Sequence, residues 1–441
     1  WYLLFKRFTS RMAAALAGAF CGFAPGMISH ANGHINWTAQ FLVPFIVLAV
    51  LRLRRARDGI LLGLLVAYQA FINEEVLLYT ALACGVLMGT YKLVTKASQR
   101  IWPGLTVAAA VAGTPLAYPL YRQFFGPQTY HGMPPGVAHY RADLASYPAF
   151  SRLSFGGAST SDKLSWNISE ENTFFGWPLL LVVVIMVILL WERALVRVLT
   201  YTAGVFFILS LGSSLLVGKR NTGIPLPWLI LGKAPILDHV ITVRFGLVLV
   251  PILAAILAFT VDYIRDLPAG HVRKLAIAGL VAALLPILPV PIPVRDRPAV
   301  PEFITSGAWR DWVPPGKSIA TVPLTSEEFP AAMEWQRSAD DFKLAGGYFL
   351  GPDEHGRARF GAVPRPTATL MREVHKTGKV PLIMPLNRTQ FAEDVAYWQA
   401  AILVLPDNTQ SPHVVQLRAL MNDLAGEGTR VGDVMLWKAT G

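Results

Sequence analysis

Glu74 and Glu75 stand side by side in the stretch AFINEEVLLYTALACG, residues 70–85, whose other residues are mostly apolar. Two adjacent carboxylates in apolar surroundings are expensive. A buried acid is stabilised by a partner cation, a hydrogen-bond network or protonation, and each of these also equips it to act as a base or to hold a metal. The competing reading is local: Asn73 caps a returning helix, and both glutamates sit favourably at the positive end of its dipole. His30 and His34 in SHANGHIN are four residues apart, which would suit a metal on a helix. Asn32 and Gly33 read as a turn, however, and favour interfacial hydrogen bonding instead. Glu170 and Glu171 in SEENTFFGWPLL precede an apolar helix and serve either as N-terminal helix charges or as part of a site. Arg244 lies a few residues into the apolar run DHVITVRFGLVLV, where an arginine needs an anionic partner: a lipid phosphate, a diphosphate or one of the glutamates. Lys219 and Arg220 in VGKRNTG read as a loop that holds a phosphate or nothing.

These residues need a scaffold, and composition says which. The chain has 441 residues, of which 53% are hydrophobic and only 15% charged, and its mean hydropathy is +0.44. Soluble domains carry about a quarter charged residues, so the expectation is a polytopic α-helical membrane protein. Apolar runs long enough to cross a bilayer fall at about 12–29, 36–51, 102–120, 174–191, 198–217, 242–262 and 274–293. A helical pair over about 59–92 brings the expectation to about nine transmembrane helices within residues 1–294. The basic clusters KRFTSR, RLRRAR, YKLVTKASQR, WERALVR and RDLPAGHVRK alternate with segments poor in Lys and Arg, which assigns all of them to the cytoplasmic side. The opposite side then receives SHANGHIN, the NEE turn, external loops at about 121–173 and 217–240, and everything after 295. The longer loop sets Arg122, Arg141, Arg152 and Lys163 against Asp143, Asp162, Glu170 and Glu171, a neutral balance that suits an external loop. The net charge of +11 reports orientation in the membrane, and no nucleic-acid partner is implied. Cys21 and Cys84 fall inside apolar runs and read as small core residues. The helix before the glutamate pair, about 59–72, rises roughly 21 Å against a hydrocarbon core of about 30 Å, so the carboxylates are expected below the outer surface.

From PVPIPVRDRPAVPEF onward the character changes. Short apolar strands (SIATVPL, VPLIMPL, AAILVLP, DVMLWKA) alternate with helical stretches (TSEEFPAAMEWQRSA, HVVQLRALMNDLA), which predicts a small extracytoplasmic α/β domain over 295–441.

The segments MISHANGHINWTAQFLVPF, FINEEVLL, YRQFFGPQTYHG, SEENTFFGWPLL, NTGIPLPWLIL and ITVRFGLVLVPILA, in this order, resemble the actinobacterial polytopic membrane proteins usually grouped with the GT-C-type glycosyltransferases. The resemblance covers most of the chain. It implies a multi-spanning enzyme of the plasma membrane that takes a sugar from a polyprenyl-phosphate donor and passes it to a cell-envelope glycan or lipid acceptor on the extracytoplasmic face. On that reading Glu74 or Glu75 assists the catalytic base or orders the acceptor, and Arg244, with Lys219 or Arg220, holds the phosphate, while His30, His34, Glu170 and Glu171 contribute to substrate binding. A divalent metal would suit such a site, but no ligand set in the sequence is specific enough to claim one. One departure stands out. Members of the group typically carry an acidic catalytic residue in their first external loop, and no such hairpin precedes residue 1, so the N-terminus is expected to be incomplete. A non-catalytic membrane-anchored assembly or binding protein of the cell envelope is the alternative. A lipid or glycan transporter fits less well, because the polar load is one-sided and no internal repeat is visible.

Overall fold

The computed structural model describes residues 1–97, 100–137, 139–157, 161, 163–294, 296–339, 341–409 and 411–439. Asp162, counted in the loop charge, and Arg295, the first residue assigned to the second domain, lie outside the described residues. The chain divides into two compact units, Trp1–Gly126 with Pro135–Pro293, and Pro127–Pro134 with Val294–Gly441. The stretch 127–134, expected to be external loop, therefore belongs to the second unit.

The first unit is helical. Among the described residues, two of its helices, Glu74–Thr95 and Thr242–Asp266, are long and apolar enough to cross a membrane, and a third span results if Arg11–Phe23 and Pro25–Ala31, bent by 41°, count as one. The bend has a local cause: Ala24 is extended, and Pro25 at the first position of the second helix has no N–H to continue the ladder. Ile35–Leu51, Asp58–Ile72, Trp177–Leu189 and Ala194–Ser210 are apolar but shorter. Asp58–Ile72 packs on Trp102–Phe125 through small residues: a Cβ on Gly59 would collide with the Gly104 carbonyl, and one on Gly63 would come within 2.7 Å of the Ala108 carbonyl. The two long helices differ in environment. Of the apolar window in Thr242–Asp266, 78% is buried inside the protein, against 17% for Glu74–Thr95, so the former is the central post and the latter turns most of its surface outward.

The expected loop over 217–240 begins as a hairpin. Strand β1 (Ser214–Val217) pairs antiparallel with β2 (Arg220–Pro225), and Gly218 and Lys219 between them both take positive φ, +59° and +64°, as a two-residue turn that follows the twist of the strands requires.

The second unit contains a mixed five-stranded sheet in the order β4-β3-β7-β9-β8, formed by Lys343–Leu344, Ser318–Thr321, Ala400–Pro406, Val434–Lys438 and Thr429–Val431. A separate small hairpin pairs β5 (Leu350–Pro352) with β6 (Ala358–Phe360). Strand alternation divides the core in two. Ala400, Leu403 and Leu405 of β7 join Met435 and Trp437 of β9 in one cluster with the helices Pro366–Thr377, Pro385–Trp398 and Val414–Ala425. Ile402, Val404, Val434 and Leu436 face the other way, onto Phe303, Trp309 and Trp335. Two expectations fail here. VPLIMPL forms no strand, because Pro381 cannot donate to a ladder and Pro385 opens the helix Pro385–Trp398. TSEEFPAAMEWQRSA yields only a 3-10 segment, Pro330–Arg337, behind its proline.

Candidate functional site

The helix Asp58–Ile72 ends because Asn73 is extended, and the Asn73 side chain accepts from the Val76 N–H at 3.1 Å to start the next helix. The local reading of the glutamate pair is thus realised, and both acids occupy the first turn of Glu74–Thr95. Their environments differ. Glu74 is exposed and accepts from Gln123 Nε2 at 2.8 Å. Glu75 is half-buried, and its Oε2 accepts from Arg244 Nη1 at 2.7 Å.

Arg244 sits in the 3-10 turn Thr242–Phe245 that opens the central span and is buried among polar partners. Its Nε and Nη2 donate to Glu170 Oε1 at 3.0 and 2.5 Å, while Nη1 reaches Glu75. The guanidinium lies 4.7 Å over the Trp37 ring. Trp37 in turn stacks on His30, with centroids 5.2 Å apart at 17°, and packs edge-on against Tyr79, whose hydroxyl donates to the Ile241 carbonyl at 2.9 Å. The His30 and His34 Nδ1 atoms face each other at 3.2 Å, and His34 Nδ1 lies 3.7 Å from Glu170 Oε1. The expected turn does not separate the two histidines. Asn32 and Gly33 do form a turn, but it closes back on the helix end, with the His34 N–H donating to the His30 carbonyl at 2.6 Å, and this brings the rings together.

Glu170 reaches this position because segment 168–173 packs against glycines. Gly246 has no room for a side chain, since a Cβ there would lie 2.7 Å from the Asn172 carbonyl; at Gly26 a Cβ would lie 2.9 Å from Leu247 Cδ2 and 3.2 Å from Asn172 Cα. Ser29, fully buried, pins the same segment by donating to the Ile168 carbonyl and accepting from the Glu171 N–H. Burial alone would raise the Glu170 carboxyl, but the Arg244 guanidinium bonded to it and the neighbouring histidines outweigh burial and hold it below the usual carboxylate range. At His34 burial wins over the attraction of Glu170, and the imidazole is held below its ordinary value.

The remaining candidates lie apart from this cluster. Glu171 turns to Arg152 and Ser151, accepting from Arg152 Nε at 2.5 Å, Arg152 N at 2.8 Å and Ser151 Oγ at 2.7 Å, and so ties two stretches of the long loop together. Lys219 spans the hairpin turn: its N–H donates to Asp143, and its ammonium lies 3.3 Å over the Trp166 ring. Burial lowers the Lys219 amine against the pull of Asp143. Arg220 is exposed on β2. Cys21 and Cys84 are buried free thiols.

Trp37, Tyr79 and Asn172 escaped the sequence reading. Tyr79 follows Glu75 by four on one helix and therefore shares its face, a legible signal. Asn172, which donates to Glu170 Oε2 at 3.0 Å, had only its neighbourhood to mark it. Among the described residues, the buried side-chain atoms without a hydrogen-bond partner include His30 Nε2 and Asn172 Oδ1 in this cluster, and Asn73 Nδ2 and both polar atoms of the Gln69 amide at the helix break.

The structure therefore defines a helical protein with two or three candidate membrane spans and a buried ion-pair site where they begin or end. No protein-family model matches the chain, and comparison with curated proteins gives no match.

Proposed function

We propose that the chain is a multi-pass glycosyltransferase of the plasma membrane that moves a sugar from a polyprenyl-phosphate carrier to a cell-envelope glycan or lipid acceptor on the extracytoplasmic face. The observation that carries this reading is the Arg244 guanidinium held between half-exposed Glu75 and buried Glu170. Departure of a polyprenyl phosphate builds negative charge, and a planar guanidinium matches phosphate oxygens in geometry and charge. Glu75 has both the exposure to meet an acceptor hydroxyl and the carboxylate to take its proton. Glu170 orients Arg244 from behind, while Glu74 lies off the chemistry on this reading.

Membrane sidedness agrees with the proposal. The helices Glu74–Thr95 and Thr242–Asp266 both begin at the cluster, and their far ends carry Lys92, Lys96 and Arg265. The bent pair 11–31 ends at the cluster and starts at Arg11. Basic far ends suit the cytoplasmic face, and on this reading the cluster lies on the other side. In a bundle of about nine crossings the two long spans would be joined by the bent pair, the four shorter apolar helices, Trp102–Phe125 and His271–Leu284, with tilt, snorkelling or local thinning absorbing the mismatch in length. The second unit, read as extracytoplasmic, would bind a polymeric acceptor or a protein partner.

A non-catalytic anchored assembly protein is the competing reading, favoured by one observation: every nitrogen of Arg244 already has a carboxylate partner, as in a purely structural network. The test is release of sugar from labelled polyprenyl-phosphate donors by the protein in membranes, for wild type and Glu75→Gln. Turnover that the folded variant loses supports the transferase. Absence of turnover with every donor in a folded wild-type protein supports the anchored assembly reading and makes the glutamates structural.

A further inference from the structure

We propose that His30, His34 and Glu170 form a binding site for a divalent transition metal of the zinc class, independent of whether the chain transfers sugars. Each of these residues brings a ligand atom within 4.8 Å of the other two. The two Nδ1 atoms are 3.2 Å apart, and His34 Nδ1 is 3.7 Å from Glu170 Oε1. A tetrahedral zinc with bonds of about 2.0–2.1 Å needs ligand atoms about 3.3–3.4 Å apart, so one edge of the polyhedron is already in place and a second needs only a few tenths of an ångström. Two imidazoles with one carboxylate select zinc and its transition-metal neighbours over magnesium or calcium, which prefer oxygen alone.

The surroundings support the ligands. Trp37 fixes the His30 ring by stacking, and Arg244 and Asn172 fix the Glu170 carboxylate by hydrogen bonds. Arg244 Nε is shared between the two Glu170 oxygens, at 3.0 and 3.2 Å, which leaves a lone pair for a metal. His30 Nε2 is buried, without a hydrogen-bond partner among the described residues, and 4.0 Å from Glu170 Oε2, so this pocket is under-satisfied as it stands. Three protein ligands leave a fourth position, and the His34 side chain, 32% exposed, gives access to it. The ion also changes the charge of the cluster. Two carboxylates and one guanidinium sum to −1, and a divalent ion makes this +1, a site that attracts an anion.

The test uses the whole protein without a histidine tag, in lipid nanodiscs, titrated with Zn2+ by calorimetry and with Co2+ by visible absorption. Wild type should bind one equivalent of Zn2+, and bound Co2+ should show the visible bands of tetrahedral nitrogen and oxygen ligation. His34→Ala should weaken binding by about 100-fold or more, as loss of a direct ligand exceeds the 10–100-fold typical of outer-shell losses. His34→Asp should recover most of it. Metal-free His34→Ala should unfold at close to the wild-type temperature, which separates lost ligation from lost fold. Zn2+ affinity that is equal in wild type and His34→Ala, or absent from folded wild type, overturns the site. Stoichiometric metal without sugar release would instead leave the site standing and count against the transferase.

Discussion

Removing the guanidinium of Arg244 is the sharpest perturbation the structure offers. In Arg244→Gln, Glu170 keeps only Asn172 as a donor while its side chain remains 2% exposed. Breaking a buried pair by removing one partner costs about 3–5 kcal/mol. For a protein of this size each kcal/mol moves Tm by about 2–4 °C, so the expected drop is roughly 6–20 °C. Glu75→Gln should cost far less, about 0.5–1 kcal/mol, because that side chain is 39% exposed and an amide can still accept from Nη1. The double variant Arg244→Gln/Glu170→Gln removes both charges together, and should be more stable than the sum of the single losses by about 2–3 kcal/mol. Thermal unfolding in nanodiscs, followed by tryptophan fluorescence, reads wild type, Glu75→Gln, Arg244→Gln, Glu170→Gln and the double variant, since Trp37 lies directly beneath the guanidinium. An unchanged Tm for Arg244→Gln, or a double variant whose loss equals the sum of the singles, would refute the reasoning that Arg244 and Glu170 form one buried pair.

Acidification should destabilise the first unit in two steps, measured as Tm against pH. His34 is depressed in the fold, so its contribution is full above the unfolded histidine value of about 6.5 and declines below it; Glu170, also depressed, loses its contribution as pH falls through its folded value beneath the usual carboxylate range. His34→Gln should reduce the upper step and leave the lower, since the buried His30 beside it still gains a proton on unfolding. Gly246→Ala places a Cβ 2.7 Å from the Asn172 carbonyl and 2.8 Å from Thr173 Cγ2, and should cost about 1–3 kcal/mol of stability by overpacking. In the second unit, Asp394 is fully buried and accepts from Arg365 Nε at 2.6 Å and the Thr367 N–H at 2.7 Å, so Asp394→Ala should destabilise that unit by about 2–4 kcal/mol in calorimetry. Cys21 and Cys84 should resist maleimide in the native protein and react only after denaturation.

Much of this architecture was legible before any coordinates. The apolar runs, the helix break at Asn73, the acids in the first turn beyond it and the strands Ser318–Thr321, Ala400–Pro406 and Val434–Lys438 all follow from interactions within a few residues: caps, prolines, alternation and hydropathy. The sequence also required an anionic partner for Arg244, a lipid phosphate, a diphosphate or one of the glutamates. It could not say which one. Successive residues on a helix point about 100° apart, so Glu74 and Glu75 cannot face the same neighbour, and which of them meets Arg244 depends on how Glu74–Thr95 is turned against the central span. Only tertiary packing settles that orientation. It also decides that Glu170 enters the cluster while Glu171, one residue on, turns to Arg152, because Gly26, Gly246 and Ser29 let segment 168–173 lie against two helices far away in the chain. Local rules set where charges occur along the chain, and the close approach of backbones at those small residues sets which charges meet.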